Sequence, residues 1–512
     1  MVSLMIRGKT FMTSALLLKR LACFVLFISM LSTAVFARQG ATHFRELTVI
    51  DGTGSPRYVA DVTILGDRIA RIGKPGSAKP REGDRVIEGR GLVLAPGFID
   101  IHNHSESGLL REGTAANQVS QGITTLIVGP DGGSPDSIGG YLSSLRGKTA
   151  VNVGAFIGHG TLRTLVMKED LRRPATQEEI AAMSTLLEGA MKEGAFGLSS
   201  GLEYDAGFSA TTEELIQLSR VAAKHGGIYM THMRDEEEGV LNAIREAIRI
   251  GREANIPVQI SHIKMGNKSV WGRSADAVAL VNEARKSGLD ITADAYPYVA
   301  WASTITVLVP SRKHEDPVEV QKGIDALGGP DKVLITSCSA FPDYEGKTLE
   351  QASAFAKKTP VETYIEIVKN GGAGVVGFGM SENDVKTFYQ TPWVMVSSDG
   401  GISSRHPRGT GTFPRVLGLF VRENKWLGLE EAIKKMSLMP AERLGLRDRG
   451  RVKKGLKADL VLFDPQAVIE RATFTEPQLF AEGIKTVFVN GAEVWDGTKT
   501  TGQLPGEIVK GR

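Results

Sequence analysis

Cysteine is almost absent. Two thiols, Cys23 and Cys338, occur in 512 residues. Cys23 lies in an N-terminal apolar segment that reads as removable, so the mature chain keeps one thiol and can form no internal disulfide. Charge of one sign is missing as well, with 61 Lys and Arg against 58 Asp and Glu. Low-complexity tracts and internal repeats are lacking, and beyond residue 37 no apolar run is long enough to cross a bilayer. With 42% hydrophobic and 23% charged residues, this excludes a disordered, collagenous or polytopic membrane protein.

What basicity there is sits at the start. Residues 1–37 carry Arg7, Lys9, Lys19 and Arg20 and no acidic residue, so their removal leaves 57 basic residues against 58 acidic ones. No cationic surface remains to suggest nucleic acid or an anionic membrane as a partner. After Lys19-Arg20 the stretch Leu21–Phe36 is nearly all apolar, and it ends in Ala34-Val35-Phe36-Ala37. This is the pattern of a secretory signal peptide cleaved after Ala37, with an uncleaved anchor as the competing reading. The mature protein is expected to be periplasmic or secreted, with no stable membrane insertion.

The remaining chain changes texture twice. Short strands are expected at Phe44–Ile50, Val59–Leu65, Arg68–Ile72 and Arg85–Glu88, and again at Ala458–Phe463, Thr486–Asn490 and Ala492–Trp495. Two β-rich flanks around an α/β middle predict one small β-sandwich made from residues 41–94 and 445–512. The middle, residues 95–444, alternates strand-like and helix-like runs. Eight strands are expected: Phe98–Ile101, Thr124–Val128, Val151–Ile157, Phe196–Ser199, Ile228–His232, Val258–His262, Asp290–Asp294 and Val394–Ser397. Between them, helices open at the capping boxes Thr176-x-x-Glu179 and Thr211-x-x-Glu214 and stop at Gly194, Gly226 and Gly288. This count fits a (β/α)8 TIM barrel, with a doubly wound sheet as the competing α/β architecture. The stretch from Asp294 to Val394 is too long for one crossover and must hold an insertion.

Four of the nine histidines fall at C-terminal ends of expected strands: His102, His104, His232 and His262. In a parallel barrel those ends open on one face. His102 and His104 are two apart, so on an extended strand both imidazoles point the same way. Four converging imidazoles suit a divalent metal, zinc foremost, as one or two ions. The bland reading, satisfied core or surface histidines, requires three separate strand ends to coincide at that face. Asp399 follows the eighth strand and would act as catalytic acid and base there, its plainer role being a turn before Gly400. Glu203, after the fourth strand, is read as a carboxylate bridging two ions rather than a solvated loop residue. Two other matches are discounted. Gly197-Leu-Ser199-Ser-Gly201 resembles a nucleophile elbow but lacks the immediate helix. Gly372-Ala-Gly374-Val-Val-Gly377 resembles a dinucleotide fingerprint but leads into a strand.

These residues make the chain resemble the amidohydrolase superfamily, and within it the D-aminoacylase family. The resemblance covers nearly all of the mature chain. It rests on Ala-Pro-Gly-Phe-Ile-Asp-Ile-His-Asn-His at 95–104, Gly-Ala-Phe-Gly-Leu-Ser-Ser-Gly-Leu at 194–202, Thr-His-Met-Arg at 231–234 and Ser-His-Ile-Lys at 261–264. It continues with Asp-Ala-Tyr-Pro-Tyr at 294–298, Ser-Asp-Gly at 398–400, His-Pro-Arg at 406–408, Gly-Thr-Phe-Pro-Arg at 411–415 and Lys-Ala-Asp-Leu-Val-Leu-Phe-Asp at 457–464. The resemblance implies metal ligands at His102, His104, His232 and His262 and an acid/base at Asp399. It implies substrate contacts at Arg408, Lys264, Tyr204 and Tyr296, which would hold an α-carboxylate or line its pocket. A planar arginine fork suits a carboxylate.

One departure stands out. Where many D-aminoacylases carry a cysteine ligand after the second strand, this chain has Gly129-Pro130-Asp131-Gly132. Either Glu203 takes over as the bridging ligand, the reading preferred here, or Asp131 is the ligand, or Asp131 is a turn residue. A harder, oxygen-rich site admits manganese or cobalt besides zinc. The implied reaction is metal-assisted hydrolysis of an N-acyl-D-amino acid to a carboxylate and a free D-amino acid. An exported dipeptidase or cyclic-amide hydrolase is the alternative, a serine hydrolase using Ser199 or a non-catalytic metal-binding module lying further off.

Overall fold

A computed structural model describes residues 40–511; the leader expected at residues 1–37 lies outside them. The eight expected strands form the barrel. They are Phe98–Asp100, Ile123–Val128, Asn152–Ala155 continued by Ile157–Gly158, Gly197–Gly201, Ile228–His232, Val258–Ile260, Ile291–Ala295 and Val394–Val396. All the pairs between them are parallel. The ring closes between the eighth and first strands, where Asp399 N–H donates to the His102 carbonyl (3.0 Å) and His104 N–H to that of Gly400 (2.7 Å).

The helices start and stop as their capping residues dictate. Gln177–Glu193 opens on a full capping box at Thr176 and ends at Gly194, whose φ of 112° only glycine adopts without strain. Thr211 caps Thr212–Lys224 through the Glu214 N–H. The Glu214 carboxylate does not close the box. It lies buried between His159 Nε2 (2.8 Å) and Arg163 (2.7 Å) instead, since a buried carboxylate gains more from a guanidinium than from one backbone N–H.

At the floor of the barrel, Ile99, Ile127, Phe196, Ile228, Met230 and Met395 fill the interior. Leu444 and Val509 pack beneath them. Val509 arrives on the last described stretch of chain, which is tied to the third strand by Val509 N–H to the Val153 carbonyl (2.9 Å) and to Gly194 by Gly511 N–H (3.0 Å).

Both flanks share one eight-stranded sheet with its own core of Phe44, Leu47, Val62, Ile69, Leu94, Leu460, Leu462 and Phe488. Leu460–Phe463 pairs antiparallel with Val93–Pro96, which runs straight into the first barrel strand. A bulge at Glu46 (φ 51°) lets Thr42–Val49 pair along one edge first with Arg85–Glu88 and then with Val93–Pro96. The expected insertion lies between the seventh and eighth barrel strands. It carries an antiparallel sheet, Trp301–Thr304, Val333–Ser337 and Gly374–Gly377, and the helices Pro317–Leu327, Leu349–Ala356 and Pro360–Lys369. Gly374–Gly377, in the discounted glycine motif, is thus a strand. Among the described residues no helix is long and apolar enough to cross a membrane.

Candidate metal centre

Three strand ends bring the four imidazoles together at the barrel mouth, where His104, His232 and His262 line a cavity of about 780 Å³. His102 and His104 extend the first strand, His232 ends the fifth, and His262 stands two residues beyond the sixth. The rings lie close together, with centroids 5.3 Å apart for His102 and His104, 4.9 Å for His102 and His262, and 4.7 Å for His232 and His262. His232 Nδ1 and His262 Nε2 are 3.0 Å apart.

The carboxylate among these rings is Asp131. Its Oδ2 is 3.0 Å from His102 Nε2, 3.3 Å from His104 Nε2 and 3.4 Å from His262 Nε2. Asp399 Oδ1 completes the group, 3.3 Å from His102 Nε2 and 3.2 Å from His104 Nε2. Of the alternatives the sequence left open, the geometry puts Asp131 rather than Glu203 among the three imidazoles. Glu203 sits to one side, its Oε2 2.7 Å from His232 Nε2. The reason is local backbone geometry. Asp131 adopts φ 54° in the turn after the second strand, which aims its short side chain into the mouth. That turn fits because Gly201, at the end of the fourth strand, has no side chain; a Cβ there would meet the Asp131 carbonyl oxygen at 2.1 Å. The Gly-Leu-Ser-Ser-Gly run that mimicked a nucleophile elbow has this structural use. Ser199 serves the same turn, its hydroxyl donating to the Gly129 carbonyl (2.6 Å) and accepting from Gly132 N–H (3.2 Å).

Strain accompanies this convergence. Asp131, His262 (φ 32°) and Asp399 (φ 46°) are all non-glycine residues with positive φ. Each such conformation costs on the order of 1–3 kcal/mol and persists where the surroundings impose it. Residues behind the mouth do impose it. Asp294, buried at the end of the seventh strand, accepts from His262 N–H (3.0 Å) and the Ser397 hydroxyl (2.7 Å), and its Oδ1 lies 3.3 Å from His102 Nδ1. Asp100 accepts from Ser398 N–H (2.9 Å) and Asn103 (2.8 Å). Neither aspartate was singled out in the sequence, though each is an ionisable residue inside an apolar strand, a signal that could have found it.

The electrostatics fit a cation. Burial works against charge on every member, yet the carboxylates and imidazoles reverse its effect. Asp131 is held well below the usual carboxylate range by His102 and His262, and Asp399 by Arg408, His262 and His102. In turn Asp131 and Asp399 raise His104 to about 10, and Glu236 and Asp131 raise His262 to about 9. Protons thus stand between donors that a divalent ion would engage directly, and binding the ion would release them. Asp131 Oδ1 is buried with no hydrogen-bond partner, a lone pair still to be used. Two overlapping donor sets have the spacing for an ion: His102, Asp131, His262 and Asp399, and His232, Glu236 and His262.

The residues expected to meet substrate line the same cavity. Arg408 Nη1 lies 2.8 Å from Asp399 Oδ2, and the guanidinium sits 4.8 Å from the Tyr296 ring centroid. Arg408 Nε is buried without a hydrogen-bond partner. Buried His406 steadies this arginine, accepting its backbone N–H at Nδ1 (3.0 Å) and lying 3.1 Å from the Ala300 carbonyl at Nε2. Lys264 Nζ bonds Glu236 and His262 Nδ1 (2.8 Å), and Tyr204 OH is 3.2 Å from His232 Nδ1.

Comparison with known proteins agrees with this geometry. The model of the amidohydrolase family matches residues 85–495. The chain is 40% identical to a D-aminoacylase of Alcaligenes xylosoxydans xylosoxydans over 90% of its own length and 96% of the relative's. It is 35% identical to the N-acyl-D-glutamate deacylase of the same organism, over 90% and 95% of the two chains. A crystal structure of N-acyl-D-glutamate deacylase from Bordetella bronchiseptica, complexed with zinc and a phosphonate mimic of the tetrahedral intermediate, superposes with a TM-score of 0.83 at 33% identity, covering 92% of this chain and 99% of that one. A barrel with these donors at its mouth, matched over four fifths of its length by one family model, belongs to the amidohydrolase family.

Proposed function

We propose that the protein hydrolyses the amide bond of N-acyl-D-amino acids, giving a carboxylate and a free D-amino acid. The observation that carries this reading is the pairing, in one cavity, of the imidazole–carboxylate cluster with Arg408, whose guanidinium still has an unused donor. The relatives named D-aminoacylase and N-acyl-D-glutamate deacylase support it. The zinc in the Bordetella bronchiseptica structure supports zinc as the metal. His102, His104, Asp131, His232, His262 and Asp399 would hold one or two divalent ions, with Asp131 as the shared ligand in place of Glu203. A bound ion polarises the scissile carbonyl and makes water acidic enough to attack at neutral pH.

The chain's own residues do the rest. Asp399 accepts the proton of the attacking water at its carboxylate and returns it to the departing nitrogen, which is otherwise a very poor leaving group. Arg408 holds the α-carboxylate, with Lys264, Tyr296 and Tyr204 around it, so the configuration at the α-carbon decides which face of the amide meets Asp399. Asp294 keeps the His102 ring from turning.

A panel of N-acetyl-D- and N-acetyl-L-amino acids on zinc-reconstituted protein tests the reaction. D-selective deacylation abolished by a chelator is expected, and chelator-resistant turnover would refute it. Asp399→Asn should keep the fold and lose turnover by about a thousandfold or more. We propose further that the chain works outside the cytoplasm, its leader cut after Ala37. N-terminal sequencing of protein from the extracytoplasmic fraction should begin at Arg38, and full-length protein in the cytoplasm would overturn this.

A further inference from the structure

The cavity holds a second unspent charge, opposite in sign to Arg408. Four carboxylates follow one another around the loops after the fourth and fifth strands: Glu203, Asp235, Glu236 and Glu237. Three are engaged. Glu203 bonds His232 Nε2 (2.7 Å), Glu236 bonds Lys264 and His262, and Asp235 accepts the backbone N–H groups of Glu237 (2.8 Å) and Gly239 (3.1 Å). Glu237 is not. Its Oε2 is buried with no hydrogen-bond partner although the residue as a whole is partly exposed, and it lines the same cavity as Arg408.

The cations nearby are already taken. Lys264 is held by Glu236, Arg312 by Asp205, and Arg234 by Glu246 through two bonds of 2.9 Å. An unpaired carboxylate in such a place is costly, and its cost falls when a cation arrives with the ligand.

We propose that Glu237 is a subsite for a positively charged group of the substrate, an ammonium or guanidinium, so that this enzyme prefers amides carrying such a group over neutral or acidic ones. This rests on the reaction proposed above. Arg408 takes the carboxylate end, the metal cluster faces the amide, and Glu237 takes the cation. Two kinds of substrate present that charge: an aminoacyl-D-amino acid, through its α-ammonium, and an N-acyl derivative of a basic D-amino acid, through its side chain.

Matched pairs on zinc-reconstituted enzyme separate the two. N-propionyl-D-leucine and glycyl-D-leucine differ only by methyl against ammonium on the acyl side. N-acetyl-D-norleucine and N-acetyl-D-ornithine make the same methyl-for-ammonium comparison at the end of the side chain. In one pair at least, the cationic member should have the higher kcat/KM by about tenfold or more, the scale of a charge-assisted hydrogen bond. Glu237→Gln should cancel that advantage, and Glu237→Asp should retain part of it, with zinc content and thermal midpoint measured for both. Equal or lower kcat/KM for the cationic member in both pairs, or an advantage that survives Glu237→Gln, overturns the subsite while leaving the deacylase reading intact. Failure to cleave any member of either pair overturns the deacylase reading and the subsite with it.

Discussion

The two ends of the barrel handle polar groups in opposite ways. At the floor, the buried cations are met by a carboxylate or by backbone carbonyls, and of the nitrogens of Arg443 and Lys435 only Arg443 Nε is left over. Arg443 bonds Asp290 and the Val258 carbonyl, Lys435 donates to the carbonyls of Thr391 (2.6 Å) and Val394 (2.8 Å), and the final stretch of chain adds its own backbone bonds. At the mouth, three residues sit in left-handed backbone conformations, and Asp131, Arg408 and Glu237 each keep a polar atom without a partner. The same fold therefore stores stability at one end and unsatisfied chemistry at the other. A residue's worth to folding and its worth to catalysis should separate along the barrel axis.

The sharpest way to break this contrast is Asp131→Ala. Removing the carboxylate shared among three imidazoles should lower zinc content and cut kcat/KM by about a thousandfold. The thermal midpoint of the metal-free protein should fall by only a few degrees, because alanine holds the left-handed angle less easily than aspartate while the imidazoles can shed their protons once the carboxylate is gone. A metal-free midpoint that collapses would show that the mouth carries stability after all. At the other end, deleting residues 505–512 removes the bonds to Thr149, Val153 and Gly194 and the buried Val509 side chain. This should cost about 3 kcal/mol of stability while kcat per folded molecule stays level, checked by denaturant titration beside active-site-normalised kinetics.

Asp294→Asn probes the layer between the two ends. Zinc affinity should fall about ten- to a hundredfold, as losing the outer partner of a metal-binding histidine does, and competition with a chelator reads this directly. The smallest effect concerns Lys435. Burial lowers its folded-state value from 10.5 to about 8. The unfolded chain then binds more protons between those limits, so Lys435 makes stability increase as pH rises from about 8 to 10.5. Lys435→Met should flatten the curve by that amount in that window and leave kinetics alone.

The barrel was legible in advance because its strands end where glycine or a capping residue follows, and because a 3.6-residue period alternates with short apolar runs. The four histidines were legible because strand ends in this architecture share one face. Asp131 was not. Its place depends on the missing side chain at Gly201, some seventy residues away, and on a left-handed backbone angle that no local pattern announces. Glu203 looked better by the strand-end rule, but its carboxylate reaches His232 from the side. Glu237 escaped for a related reason. One glutamate in a run of three reads as solvated until the fold turns its carboxylate toward the cavity.

The shared sheet sets a condition on how the molecule is made. Val93–Pro96 finds its antiparallel neighbour, Leu460–Phe463, only after the whole barrel has been synthesised. Until then the opening strands present an open hydrogen-bonding edge beside buried-type side chains such as Leu94. That hazard spans more than 350 residues of translation, and it would make holding factors that mask β edges a requirement for yield rather than for activity.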